Sequence, residues 1–228
     1  MHIPDGYLSP STCLTLGAVM LPVWYRASAV VKKSLDVARI PFMAMGAVFA
    51  FLIMMFNVPI PDGTTAHAVG SVLIAIVLGP WAAVVAVSVA LFIQALVFGD
   101  GGMLAFGVNA FNMAVIMPFT GYYMYRLVAG RATGGSLRAV VAAGIGGYVG
   151  LNLAALAAAI EFGIQPLLFT AADGTPLYCP YGLSVAIPAM MTAHLLVAGF
   201  VEAAVTALVV KYVWKTAPEV VAPNGNEK

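Results

Sequence analysis

Seven apolar stretches, at roughly residues 11–25, 40–58, 67–79, 81–98, 103–125, 139–163 and 184–210, dominate the 228-residue sequence, and the only charged residues inside them are Glu161 and Glu202. Charged residues make up 8% of the chain. Soluble domains carry roughly 25%, so a chain of this kind cannot cover an aqueous surface. Its solvent must accept apolar side chains. In lipid only helices or closed barrels satisfy their own backbone, and barrel strands would alternate apolar with polar residues. These stretches do not alternate. They predict an all-α fold, a polytopic membrane helical bundle of about seven transmembrane helices at about 20 residues each. The first and third stretches are short for a full crossing, and the third reads as tilted or partly re-entrant. No internal repeat is evident.

Sidedness follows from the basic residues. Arg26, Lys32, Lys33 and Arg39 lie between stretches one and two. Arg126, Arg131 and Arg138 lie around the link between five and six, and Lys211, Lys215 and Lys228 lie at or beyond the end of seven. With seven spans all of these share one side, which the positive-inside bias makes cytoplasmic. The N-terminus is then outside and the C-terminus inside. Asp5, Asp62, Asp100, Asp173 and, near the end of its stretch, Glu161 fall on the outer side. They either draw cations toward that face or simply remain where bases are excluded. Residues 1–213 read as one integral membrane domain and 214–228, with Pro218, Pro223, Asn224 and Gly225, as a flexible cytoplasmic tail. No basic stretch precedes the first apolar run, so no cleavable signal is expected and Met1 is expected to stay the terminus. A net charge of +1 gives no reason to expect nucleic acid. The two cysteines, Cys13 and Cys179, have no metal-ligand spacing, and spacing alone cannot establish a bridge between them.

Polar groups inside apolar segments are functional candidates; here they include Gln94, Asn109, Asn112, His194 and Glu202. The most informative residue is His2. A histidine at position two offers a chelate that no internal histidine can. The Met1 amine and the His2 backbone nitrogen close a five-membered ring on a metal, and the His2 backbone nitrogen and its Nδ1 close a six-membered one. Three nitrogens then lie in one plane, and a fourth ligand completes a square. Square-planar nitrogen geometry points to Ni(II) or Cu(II) and away from Zn(II) or Mg(II). His67 is the natural fourth ligand, because it follows the Pro/Gly-rich outer loop that begins Asn57-Val58-Pro59 and so shares a side with Met1. About ten extended residues reach roughly 30 Å, enough for the terminus to fold back over the bundle. Pro4 biases Ile3 toward an extended backbone. His194, about 15 Å into its span, reads as a packed, hydrogen-bonded histidine ahead of a ligand. Asn109 and Asn112 share a helical face, and interhelical hydrogen bonding accounts for them as readily as ligand support.

Three runs resemble one family closely. The opening Met1-His2-Ile3-Pro4-Asp5-Gly6-Tyr7-Leu8 is similar to the N-terminus of the nickel/cobalt substrate-binding components of energy-coupling-factor (ECF) transporters, the CbiM/NikM type. The second run is Pro61-Asp62-Gly63-Thr64-Thr65-Ala66-His67-Ala68-Val69-Gly70, followed by Leu78-Gly79-Pro80-Trp81. The third is Gln94-Ala95-Leu96-Val97-Phe98-Gly99-Asp100-Gly101-Gly102, continuing to Gly107-Val108-Asn109-Ala110-Phe111-Asn112-Met113. Three in the right order over about the first 125 residues make the resemblance specific. It implies a six-helix substrate-binding core with one extra N-terminal helix. It also implies a metal held by Met1, His2 and His67, with Asp5, Thr65, Gly101, Gly102 and Asn109 supporting the N-terminal segment and Asn112 and His194 as weaker candidates. Ni(II) is the expected substrate, with Co(II) as the alternative. Cobalt-selective relatives commonly have Met-Glu-Gly where this chain has Pro4-Asp5-Gly6, a departure toward nickel.

The chain has no Gly-x-x-x-x-Gly-Lys-[Ser/Thr] phosphate loop. It is therefore expected not to be an enzyme by itself. The resemblance implies partners in a bacterial or archaeal cell membrane: a coupling transmembrane subunit, two cytoplasmic ATPases and a small additional membrane subunit. A membrane protease is disfavoured, since no Gly-x-Ser-Gly motif surrounds Ser184 and Asp100 has no intramembrane partner. The alternative is a stand-alone secondary permease for a metal or vitamin, which predicts mid-span acids along a continuous polar path. Only Glu202 approaches that description.

Overall fold

The structure, a computed structural model, describes residues 1–60, 64–132 and 134–221. Asp62, the 61–63 part of the second motif, and Pro223, Asn224, Gly225 and Lys228 of the expected tail lie outside the described residues.

Helix α1, Pro10–Ser34, starts where Ser9 accepts a hydrogen bond from the Thr12 amide at 3.1 Å and Pro10 occupies the first turn. Its last turn carries Lys32 and Lys33, cations that suit the negative end of the helix dipole. Only 11% of its apolar window is buried, so most of α1 faces outward. A 3₁₀ turn capped by Asp36 leads into α2, Ile40–Met54. Strands β1, Val58–Ile60, and β2, Thr64–Ala66, form an antiparallel ribbon with Val58 opposite Ala66 and Ile60 opposite Thr64. Then come α3, Ser71–Leu78; α4, Pro80–Phe98; α5, residues 106–129; and α6, Leu137–Gly163. The chain ends in a short α7, Gln165–Leu168, a long α8, Leu183–Thr216, and α9, Pro218–Val221. Helices α4, α5 and α8 each contain a π turn, at Gln94–Phe98, Phe111–Ile116 and His194–Ala198.

Each of the seven expected stretches contains helix, and among the described residues five helices are long and apolar enough to cross a membrane. The third stretch differs most from a simple span. Residues 67–70 belong to no helix or strand and only 71–78 are helical, about 12 Å at the usual rise, well short of a hydrocarbon core of about 30 Å. The ribbon before it is the other addition to the all-α expectation. The first stretch continues past Tyr25 to Ser34, because Arg26, Lys32 and Lys33 are good helix formers once outside the apolar core. At the other end α8 runs to Thr216, and α9 folds back on α3 with Val220 buried, so helical structure continues past the expected tail boundary at 214.

Small residues let the core helices meet. Helix α6 buries Gly144, Gly146, Gly147 and Gly150 among alanines. A Cβ on Gly150 would lie 2.7 Å from the Met117 carbonyl of α5, a backbone approach that only glycine permits. Without a hydrophobic drive between helices in lipid, such close packing is what holds them together. Asn112 adds a hydrogen bond, donating from Nδ2 to Glu161 Oε2 at 2.6 Å and tying α5 to α6. Glu161 is thus buried between helices and does not sit on an acidic rim. Cys13 and Cys179 are both free thiols.

Candidate metal centre

The first eight residues are folded into the bundle. Met1, Ile3 and Leu8 are fully buried, and burying such side chains contributes about 1.5–3 kcal/mol each. The backbone is held as firmly. The Ile3 amide donates to Asn109 Oδ1 at 2.8 Å, and the Ile3 carbonyl accepts from Asn109 Nδ2 at 3.0 Å and from the Gly102 amide at 2.9 Å. Thr64 donates its hydroxyl to the His2 carbonyl at 3.0 Å. Asp5 accepts from the amides of Leu104 and Ala105 at 3.3 and 3.0 Å, closing the loop before α5 over the segment. The Cys179 amide donates to the Tyr7 carbonyl at 3.0 Å. The Ile3 amide and carbonyl would otherwise be buried without a partner, which is costly.

This docking brings three nitrogen donors together. The Met1 amine donates to Thr65 Oγ1 at 3.3 Å. The His2 and His67 rings lie 4.7 Å apart, centroid to centroid. Second partners decide which ring nitrogen is free. Gln94 Nε2 donates to the Phe51 carbonyl at 3.3 Å, which leaves Gln94 Oε1 facing His2 Nε2 at 3.2 Å. The His2 proton therefore sits on Nε2, and Nδ1 keeps its lone pair. His67 Nδ1 donates to the Ala68 carbonyl at 3.0 Å, leaving the lone pair on Nε2. Both free nitrogens, His2 Nδ1 and His67 Nε2, are buried with no hydrogen-bond partner among the described residues. Ring nitrogens fixed in this way by an outer hydrogen bond are typical of metal-binding histidines.

The electrostatics agree. Burial drives the Met1 amine down to about 4, with Asp100 opposing the shift. Burial and then the amine's charge lower His2 to about 3, against the Gln94 hydrogen bond. Burial, the amine and His2 hold His67 well below its ordinary value. At neutral pH all three are uncharged and able to donate electron pairs. Asp100 Oδ1 lies 3.6 Å from His2 Nδ1 and supplies the nearby negative charge; burial raises its own pKa, and the amine lowers it.

Of the supporting residues expected from sequence, Asp5, Thr65, Gly101, Gly102 and Asn109 all line the docked segment. Gly101, at φ 82°, would place a Cβ 3.2 Å from the His2 ring and 3.2 Å from Asn109 Nδ2. A Cβ on Gly102 would overlap the Asp5 carboxylate and lie 2.6 Å from the Asp5 amide nitrogen. Gly102→Ala is expected to undock the segment and weaken metal capture at least as much as losing Asn109. A titration of Gly102→Ala that matches wild type would remove the loop from the site. Asn112 lies off the centre, engaged with Glu161. His194 donates from Nδ1 to the Met190 carbonyl at 2.8 Å; its Nε2 is buried without a partner among the described residues. The π turn that carries it packs against β2. The sequence singles out Gln94 without a role and Asp100 only as one of the outer-side acids, not as a partner of His2. The signal was available, since both sit in the run from Gln94 to Gly102 that resembles the family.

A multi-pass helical membrane protein whose own first residues fill a nitrogen-lined pocket is the class that this fold and site define. The chain belongs to the CbiM family: the family model described as the cobalt uptake substrate-specific transmembrane region matches residues 2–220. It is 56% identical over 222 residues to the probable fused nickel transport protein LarMN of Lactiplantibacillus plantarum, covering 96% of this chain and 66% of that protein. It is 53% identical over 223 residues to the fused nickel transport protein NikMN of Rhodobacter capsulatus, covering 98% of this chain and 64% of the relative. The chain thus spans a little under two thirds of the length of these two relatives. A crystal structure of a truncated transition metal transporter superposes with a TM-score of 0.90 at 61% identity, covering 94% of this chain and 99% of that one.

Proposed function

We propose that the chain is the metal-capturing subunit of an ATP-driven ECF-type uptake transporter, with Ni(II) as its substrate and Co(II) as the alternative. The observation that carries this reading is the joint burial of the Met1 amine, His2 Nδ1 and His67 Nε2, each with its lone pair uncommitted to a proton at neutral pH. With the His2 backbone nitrogen they make four nitrogens, the number a square-planar ion takes. Three come from one short covalent path, so little entropy is lost in bringing them together. The family description and the two relatives' names point to the same pair of metals.

The chain itself is not an enzyme in this reading. ATP is hydrolysed by two cytoplasmic ATPase partners acting through a coupling membrane subunit, with a small additional membrane subunit completing the assembly. Metal enters from outside, and inward release requires the segment 1–8 to leave its seat between β2 and the Gly101–Gly102 loop. A stand-alone permease would need mid-span acids open to a path, whereas both Glu202 oxygens are engaged by backbone amides. Metal analysis of the purified protein with its native N-terminus tests the proposal: about one equivalent of diamagnetic Ni(II) is expected, and a protein that takes up no metal would sink it. Orientation is tested separately. Single cysteines at Pro59 and Gly134 should label from outside and inside respectively, and the reverse pattern would invert the direction of capture.

A further inference from the structure

Helix α3 begins without a cap of its own. Gly70, its N-cap, has φ 76° and no side chain to offer. The first amides of any helix lack partners within it, and in the hydrocarbon region no water substitutes. The acceptor comes from another helix. Glu202 of α8, fully buried, accepts from the Val69 amide at 2.8 Å and from the Gly70 amide at 3.0 and 3.2 Å. Thr206, one turn further along α8, donates to it at 3.4 Å.

The geometry around this contact is built for it. The π turn His194–Ala198 absorbs one residue, so the eight residues from His194 to Glu202 behave as about seven. That returns Glu202 to the helix face that carries His194 and packs on β2 and α3. The stretch it holds is the one that presents His67. On one side of His67 the backbone is fixed by the pairing of Ala66 with Val58; on the other, by Glu202 at Val69 and Gly70. The His67 ring is itself tied to this stretch through its hydrogen bond to the Ala68 carbonyl. Residues 67–70 have no helix or strand of their own to hold them.

We infer that Glu202 is a positioning residue for metal capture, clamping the Val69–Gly70 amides so that His67 Nε2 stays at the fourth corner of the metal square. This rests on the metal-chelate reading given above. A carboxylate suits the task because Oε2 accepts from both amides while Oε1 takes a second bond from Gly70, so both oxygens face N–H donors. Glutamine offers one oxygen and turns a donor toward the second amide. Aspartate is one methylene too short to reach both.

The test is a double-mutant cycle read by Ni(II) titration and by the visible d–d band. Glu202→Gln, isosteric with the native residue, is expected to weaken Ni(II) binding roughly 10–100-fold, as losing an outer support of a metal ligand does. Its Ni(II) spectrum should shift toward that of His67→Ala. In a His67→Ala background the same change should cost less than about twofold, because there is no ring left to position. Glu202→Asp should repeat the pattern. If His67→Ala weakens binding but Glu202→Gln binds like wild type, or weakens binding by the same factor with and without His67, the role of Glu202 is overturned and the chelate stands. If His67→Ala binds like wild type, the chelate reading fails, and this inference with it.

Discussion

One residue added before Met1 is expected to abolish tight Ni(II) binding while leaving every side chain of the site unchanged. The extension turns the Met1 amine into an amide nitrogen and carries the free amine out of the five-membered ring. It also forces extra atoms into a space where Met1 is fully buried and its nitrogen already meets Thr65 Oγ1 at 3.3 Å. Acetylation of Met1 does the same chemically with less bulk, so the two variants separate lost coordination from steric undocking. Calorimetric titration of Ni(II) into native, extended and acetylated protein is the measurement; an extended protein that binds as tightly as the native one disproves the terminal chelate. Acid should mimic the modification. The amine ionises near 8 when undocked and at about 4 when buried in the docked segment. The undocked form therefore binds more protons throughout that window. Docking and metal capture are strongest at and above pH 8 and weaken steadily as pH falls toward 4. His2 and His67, lowered in the same sense, add to the slope at the acid end.

His67→Ala is expected to cost far more affinity than His194→Ala. His67 Nε2 is the ring nitrogen left free beside His2, with its tautomer set by the Ala68 carbonyl. In the proposed chelate, removing it would delete a metal bond and convert a closed square into a three-coordinate stub that must recruit water. His194 is buried too, but it belongs to the π turn of α8, where it donates to Met190 in its own helix. Its loss should alter packing against β2 and change affinity by no more than the roughly 10–100-fold of an outer support. Titrating both variants, with the Ni(II) band followed in parallel, separates the two. Equal losses would make His194 a ligand and rule out the planar geometry.

How much of this could be read from sequence depends on whether the signal was local. Apolar length and the distribution of bases mark the helices, because each span must satisfy its own backbone. Position two of the chain marks the proposed chelate, because the ring sizes follow from covalent connectivity alone. Asp5, Thr65, Gly101, Gly102 and Asn109 were legible only through their resemblance to a family; nothing in their spacing says that Asn109 would pair with both the amide and the carbonyl of Ile3. Gln94 illustrates what was not legible. A lone glutamine in an apolar stretch invites a role, but that its oxygen faces His2 depends on the Phe51 carbonyl of a different helix. Glu202 is illegible for the same reason: in sequence it is a mid-span acid standing alone, while in space it completes the start of α3. The shortness of the third stretch is legible from its length, but the β1–β2 ribbon is not, because its pairing joins residues on the two sides of the outer loop, and neither is the non-helical run 67–70, which Glu202 of α8 holds at Val69 and Gly70.

The docked N-terminus also constrains how the protein is made. Met1 bonds to a residue 64 positions away, Ile3 to one 106 away and Ser9 to one 156 away. The first residues to leave the ribosome are thus among the last to find their places. Until β2, α4 and the Gly101–Gly102 loop have been synthesised and inserted, the amine and His2 have no seat, and Ser9 has none until Gln165 follows. In the proposed chelate, a half-made chain would offer at most a loose peptide ligand, and the tight site would form only once these distant segments are in place. On the proposed reading, metal capture would be an assay the molecule performs on its own biogenesis: a chain that held its ion firmly would already have brought its distant segments together.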